Sequence, residues 1–228
     1  MPHTMPIVFV VDDDVSVRES LELLIRFAGW QPETFASARE FLARPRVVVP
    51  SCLILDVGLP DLNGLDLQTR LAADRTDMPI IFITGYGDVP MTVRAMKAGA
   101  VEFLTKPFSD DVLLSAIRQA IDRSHAALGN ESALRGLRGG FASLSRRERQ
   151  VMALVVAGLP NKQIGSELGI SEITVKAHRG KVMRKMNAES LADLVTMAAR
   201  LRLAPAPPVL HGRASGGGNL PPEALAGA

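Results

Sequence analysis

Residues 51–64 read SCLILDVGLPDLNG. Cys52, Leu53, Ile54 and Leu55 form an unbroken apolar run, the pattern of a strand covered on both faces of a sheet. The run stops at Asp56, and Gly58, Pro60, Asn63 and Gly64 then spell a loop. A carboxylate is therefore expected at the mouth of a buried strand. In open α/β sheets, ligands bind in that position, beyond the carboxyl ends of the strands.

Working outward, the same pattern recurs. Ile7–Val11 is a second apolar run and ends in Asp12, Asp13 and Asp14. Val17, Leu21, Leu24, Ile25 and Ala28 follow at helical spacing, and Gly29 stops the helix. A short strand is predicted near Gln31–Phe35 and a helix from Ser37 to about Ala43. Leu65–Ala73 is helical. Pro79–Thr84 is a fourth strand, turned by Gly85-Tyr86-Gly87 into a helix with Asp88 as cap and Pro90 in its first turn. Ala100–Leu104 is a fifth strand, ending at Lys106-Pro107, and Leu113, Ala116, Ile117, Ala120 and Ile121 mark a fifth helix.

Five strands alternating with five helices predict a parallel, doubly wound α/β sheet over residues 1–127. In the flavodoxin-like order 2-1-3-4-5, strands one and three flank the switch point. That order brings Asp12 and Asp13 beside Asp56, with Thr84 and Lys106 on neighbouring strand ends. Three clustered carboxylates repel one another, and oxygen-only ligands with room for water suit Mg²⁺. A carboxylate beside such an ion can take a phosphoryl group as an aspartyl phosphate. Asp56, alone on the central strand, is the best nucleophile; Thr84 and Lys106 suit phosphoryl oxygens. The competing reading is that Asp12–Asp14 are solvated loop acids and Lys106 merely pairs with Asp56.

Composition bounds the rest. The chain has 228 residues, 47% apolar and 22% charged, as in a globular protein with a real core. Cys52 is its one cysteine, which leaves no disulfide framework or cysteine metal site. No stretch reaches the roughly 18 apolar residues of a membrane span. The start, MPHTMPIVFVVDDD, lacks the basic region of a signal peptide, so a cytoplasmic location is expected. Residues 1–127 carry 12 Lys+Arg against 17 Asp+Glu, net −5; residues 128–228 carry 14 against 7, net +7. An acidic module joined to a basic one suggests that the second meets a polyanion.

Residues 128–140 hold four glycines and no apolar period, and read as a linker. Beyond it, Ser145 with Glu148 is a capping box opening a helix to about Ala157. Further helices are predicted over Asn161–Leu168, from Ser171 to about Met186, and over about Ser190–Leu203. The tail, residues 204–228, is rich in Pro, Gly and Ala and reads as disordered. Short helices ending in a Lys/Arg-rich one suggest an all-α helix-turn-helix module over 141–203. On the Ser171–Met186 helix, at about 100° per residue, Val175, His178, Val182 and Met186 share a stripe expected to face the core. Ile173, Ala177, Gly180 and Arg184 point away, flanked by Thr174, Lys176 and Lys181.

Two resemblances sharpen these readings. VVDDD, LILDVGLPDLNG, FITGYGDV and VEFLTKPF resemble, in order and separation, the signature segments of response-regulator receiver domains. LSRRERQVMALVVAGLPNKQIGSELGISEITVKAHRGKVMRKM resembles the LuxR-type helix-turn-helix. Together they are similar to NarL/FixJ-type two-component response regulators, and GDVPMTVRAMKAGAVEF is similar to the FixJ branch. The receiver resemblance implies phosphorylation of Asp56 by a sensor histidine kinase, with Mg²⁺ held by Asp13, Asp56 and the Gly58 carbonyl and Asp12 acting through water. It also implies a Thr84–Phe103 switch pair, a cis Lys106-Pro107 bond, and a dimer face on the fourth helix and fifth strand with Val89, Met91, Val93, Met96 and Phe103. The second resemblance implies promoter DNA in double-stranded form as a partner. Lys176 would reach a base edge, Lys162, Thr174, His178, Arg179, Lys181 and Arg184 would line the same interface, and Leu191, Leu194, Val195 and Ala198 would pair two copies. RNA polymerase and a second copy of the chain are further implied partners, and no membrane is implied. Catalysis is implied only on the protein's own aspartate. Gly58 departs from the larger side chain usual two residues after the phosphorylated Asp, and Tyr86 is expected to shield the pocket instead.

Two other readings fit less well. A Mg²⁺ phosphohydrolase of the haloacid-dehalogenase type wants a second Asp where Gly58 stands. A receiver that switches without phosphorylation would not need the intact set of Asp12, Asp13, Asp56, Thr84 and Lys106.

Overall fold

The computed structural model describes residues 5–74 and 77–203, side chains of 72–74 excepted. The predicted tail, residues 204–228, lies outside them. The chain divides into two compact units, residues 1–135 and 136–228.

In the first unit, β1 (Ile7–Val11), β2 (Gln31–Phe35), β3 (Ser51–Asp56), β4 (Ile80–Thr84) and β5 (Glu102–Thr105) form one parallel sheet in the order β2-β1-β3-β4-β5. The interleaved helices are α1 (Val15–Phe27), α2 (Ala38–Ala43), α3 (Gly64–Asp74) and α4 (Val89–Lys97). The unbroken apolar runs are explained by burial on both faces. Phe9, Val11, Leu53, Leu55 and Phe82 enter the core on one side, while Val8, Val10, Cys52, Ile54, Ile81 and Ile83 enter the core on the other. Each such side chain contributes about 1.5–3 kcal/mol by leaving water.

Local signals set the helix starts. The side chains of Asp14, Ser37 and Asp88 each accept an N–H from the first turn of α1, α2 and α4. Gly29 ends the α1 turn at φ +88°, a left-handed conformation that favours glycine.

The segment predicted as a linker contains the division between the two units, and it is helical, not irregular. Helix α5 runs from Asp110 to Ala142, straight through residues 128–140. Its buried residues are confined to Leu113–Ser124, so the missing apolar period beyond was real. Helix continues there because propagation from a packed segment needs only one more hydrogen bond per residue.

In the second unit, α6 (Arg146–Val156), α7 (Asn161–Leu168), α8 (Glu172–Met186) and α9 (Leu191–Arg200) surround a core of Val151, Leu154, Val155, Ile164, Val175, Val182, Met186 and Leu194. The Ser145–Glu148 capping box is present in both directions. Glu148 is also buried, and its carboxylate accepts from Lys185 Nζ at 2.7 Å. That pair was not foreseen, because nothing in the sequence ties position 148 to 185.

Candidate functional site

Register brings the predicted pocket together. Val11 is level with Leu55 and Asp56 with Ile83, so the residues that follow each strand emerge at one edge. Carboxylate oxygens of Asp12, Asp13 and Asp56 lie within 4.8 Å of one another. Asp12 is wholly buried and Asp13 exposed. Such a set of oxygen donors fits a hard divalent cation, open on the Asp13 side for water.

The neighbours hold this cluster in shape. Asp12 Oδ1 accepts the Asp14 N–H at 2.9 Å, and Arg18 Nη1 donates to the Asp12 carbonyl at 2.7 Å. Arg18 was not singled out from the sequence, since an arginine on α1 looks like any exposed helix cation. Lys106 Nζ makes its ion pair with Asp12, at 2.7 Å. The alternative in which Lys106 pairs with Asp56 is therefore not what the structure holds. Burial pushes the Asp56 carboxyl above the usual carboxylate range; the Lys106 charge opposes this, Asp12 adds to it, the Gly58 amide opposes it by hydrogen bonding, and Asp13 adds to it. The loop after β3 is tethered by Asp61, whose carboxylate accepts the Ala38 and Arg39 amides at 3.3 and 2.9 Å.

Thr84 is buried, and its hydroxyl donates to the Tyr86 carbonyl at 2.9 Å while accepting the Tyr86 N–H at 3.1 Å. Tyr86 itself is 93% exposed. The expectation that it shields the pocket fails, because its short loop turns the ring into solvent. Phe103 is half-buried, its ring centroid 6.0 Å from that of Phe82. The Lys106-Pro107 bond is cis. On the proposed α4 face, Val89, Val93 and Met96 are exposed, whereas Met91 and Phe103 pack against the core.

On α8 the angular reading holds for Val175, Val182 and Met186, which are buried. His178 is half-buried with Nδ1 enclosed and unpartnered, in keeping with its place on the core stripe. Arg179 Nη1 donates to Asn161 Oδ1 at 2.7 Å, which braces α8 against α7. Lys162, Lys176, Lys181 and Arg184 are exposed, Lys176 within 3.3 Å of Glu172. Thr174 is engaged locally: its N–H donates to the Ser171 cap at 3.1 Å, and its hydroxyl lies 2.8 Å from that of Ser171.

Fold and pocket define a receiver domain followed by a helix-turn-helix module. Residues 8–118 match the family model of the response regulator receiver domain, and residues 142–198 that of bacterial regulatory proteins of the luxR family. Nodulation protein W of Bradyrhizobium diazoefficiens is 54% identical over 198 residues, covering 87% of each chain. The transcriptional regulatory protein FixJ of Rhizobium meliloti is 45% identical over 191 residues, 84% of this chain and 94% of that one. Among solved structures, the response regulator StyR (low resolution) superposes with a TM-score of 0.78 at 49% identity, covering 86% of this chain and all of that chain. Full-length FixJ from B. japonicum superposes with a TM-score of 0.52 at 43% identity, covering 87% and 98%.

The chain belongs to the NarL/FixJ-type response regulators. It is a two-component response regulator with a LuxR-type DNA-binding domain that acts in transcription. Among the described residues no helix is long and apolar enough to cross a membrane.

Proposed function

We propose that Asp56 accepts a phosphoryl group from a partner histidine kinase and that its new charge controls promoter binding by α8. The observation that supports this most is the cluster of Asp12, Asp13 and Asp56 oxygens within 4.8 Å, with Lys106 on its flank. Asp13, Asp56 and the Gly58 carbonyl would hold Mg²⁺ directly and Asp12 through water; the ion would supply charge neutralisation at the phosphoryl oxygens.

The Asp56 carboxylate forms an O–P bond as the P–N bond of the donor phosphohistidine breaks, the electron pair returning to the imidazole nitrogen. Lys106 faces the charge delivered to the pocket. Phosphorylation adds roughly 1.5–2 negative charges. Thr84 exchanges its Tyr86 carbonyl for a phosphoryl oxygen, Phe103 completes its burial behind it, and Val89, Val93 and Met96 become the face on which two receivers pair. Leu191 and Val195, exposed on α9, pair the DNA-binding modules so that two half-sites about one helical turn apart are read. Lys176 reaches a base edge; Lys162, Lys181 and Arg184 reach backbone phosphates. The regulator acts in the cytoplasm, where promoter and RNA polymerase are found, and turns over no external substrate.

Intact-mass measurement after incubation with acetyl phosphate and Mg²⁺ tests the reading. One phosphoryl group on the wild type and none on Asp56→Asn is expected. An Asp56→Asn variant whose promoter affinity still rises with phosphodonor would overturn it.

A further inference from the structure

Ile173 occupies the second position of α8, after the Ser171 cap, and is 79% exposed. Among the described residues of the second unit it is the most exposed large hydrophobic side chain; the next, Leu191 and Val195, are 44% and 40% exposed. A single exposed apolar residue needs no explanation by itself. This one stands in a set. Along its face follow Ala177 and Gly180, both exposed, and a Cβ at Gly180 would meet no atom within 4 Å. The face is therefore low, with one branched hydrocarbon standing at its N-terminal end. Lys176 and Lys181 flank it, Arg184 stands at its C-terminal end, and Lys162 is exposed on α7.

A basic rim around an apolar, shallow centre complements a DNA groove, whose walls are phosphates and whose floor is base edges. In a helix-turn-helix the N-terminal residues of the second helix are those that touch base edges. Ile173 has no hydrogen-bonding group, so it cannot read a donor or an acceptor. The one apolar feature on the major-groove floor of unmodified DNA is the thymine C5-methyl group. We infer that Ile173 is a specificity-determining residue, packing on a thymine methyl in each half-site. The inference rests on the DNA-binding reading of α8 and adds a chemical preference to it.

The test uses the full chain with acetyl phosphate and Mg²⁺, selecting sites from a random double-stranded DNA library with wild type, Ile173→Ala and Ile173→Ser. Each thymine of the wild-type site is then replaced singly by deoxyuridine, which deletes only the methyl group. The wild type is expected to select a thymine that neither variant selects, and to lose about fivefold in affinity when that one methyl is removed, the worth of one buried methyl-sized contact. Ile173→Ala should be indifferent to the same replacement. Selection of a site by wild type with no sensitivity to any uracil, or with equal sensitivity in Ile173→Ala, overturns this inference alone. Failure of the wild type to select any sequence overturns it together with the DNA reading beneath it.

Discussion

Lys106 Nζ sits 2.7 Å from Asp12 Oδ2, so the cation of the pocket is held by the acid that follows β1, not by the acid on the central strand. Asp56 is left with the Gly58 amide and with the nearby charge of Lys106, whose ion pair is made with Asp12. A carboxylate whose ionised form is not locked into an ion pair remains free to act on an incoming group.

Lys106→Met removes the cation beside wholly buried Asp12, and a buried charge without its partner is costly. With Lys106 a quarter exposed in the pair, stability should fall by about 2 kcal/mol in metal-free buffer. Urea denaturation in EDTA measures it. Adding Asp12→Asn should recover part of the loss, and a strictly additive double variant would show that the pair is not coupled.

Gly64 is sterically demanded. A Cβ there would lie 2.6 Å from the Asp56 carbonyl oxygen and 3.0 Å from Val57 Cα, both backbone atoms that cannot rotate aside. Gly64→Ala should cost about 2 kcal/mol, while Gly85→Ala, with nothing within 4 Å, should cost far less. Thermal melts of the two variants side by side decide the point.

At Gly58 the opposite holds. A Cβ would meet Asp56 Oδ2 at 3.7 Å, an ordinary contact. Gly58→Met should therefore fold normally and lay hydrocarbon beside the carboxylate, slowing hydrolysis of the phosphorylated form several-fold. Decay followed by intact mass is the readout; an unchanged half-life would mean that water arrives from another side.

Glu148 carries the pH dependence. Hydrogen bonds from Lys185 and from the Ser145 amide, with the Lys185 charge, hold its carboxyl at about 2 against an ordinary 4.5. A depressed folded-state value stabilises the protein above 4.5, and the contribution is lost as pH falls toward 2. The wild type should thus exceed Glu148→Gln in melting temperature at neutral pH, and the gap should close on acidification through that window. A gap that stays constant would rule out the linkage.

The helix through residues 128–140 can be checked by its glycines. Gly129, Gly136 and Gly139 have open space around a Cβ, whereas one at Gly140 would strike the Lys185 carbonyl oxygen at 2.9 Å. Each of the first three, replaced by Ala, should add about 0.5–1 kcal/mol of helix stability; Gly140→Ala should not. Far-ultraviolet circular dichroism on the full chain separates this from a flexible linker, in which none of the four would matter.

How much of this was legible depended on whether a signal was local. Asp88 and Ser145 were readable as caps because a cap acts within one turn. Tyr86 was misjudged because two glycines beside it leave the ring's direction to the loop. For His178 the angle of the helix predicted the half-buried position on the core stripe that the structure shows. The helical state of the linker was missed since composition reports the cost of helix at each glycine, but not the packed turns of Leu113–Ser124 that carry the helix into it.

The sequence by itself determined that the parallel strands of one sheet, three of them buried throughout, deliver Asp12, Asp13, Asp56, Thr84 and Lys106 to one edge, because side-chain period and strand direction are properties of the chain. Only the tertiary structure decided which partner each charged group takes: Lys106 with Asp12 and Glu148 with Lys185. Those choices turn on distances of a few ångströms between residues far apart in sequence, and electrostatic and hydrogen-bond energies change across just that range.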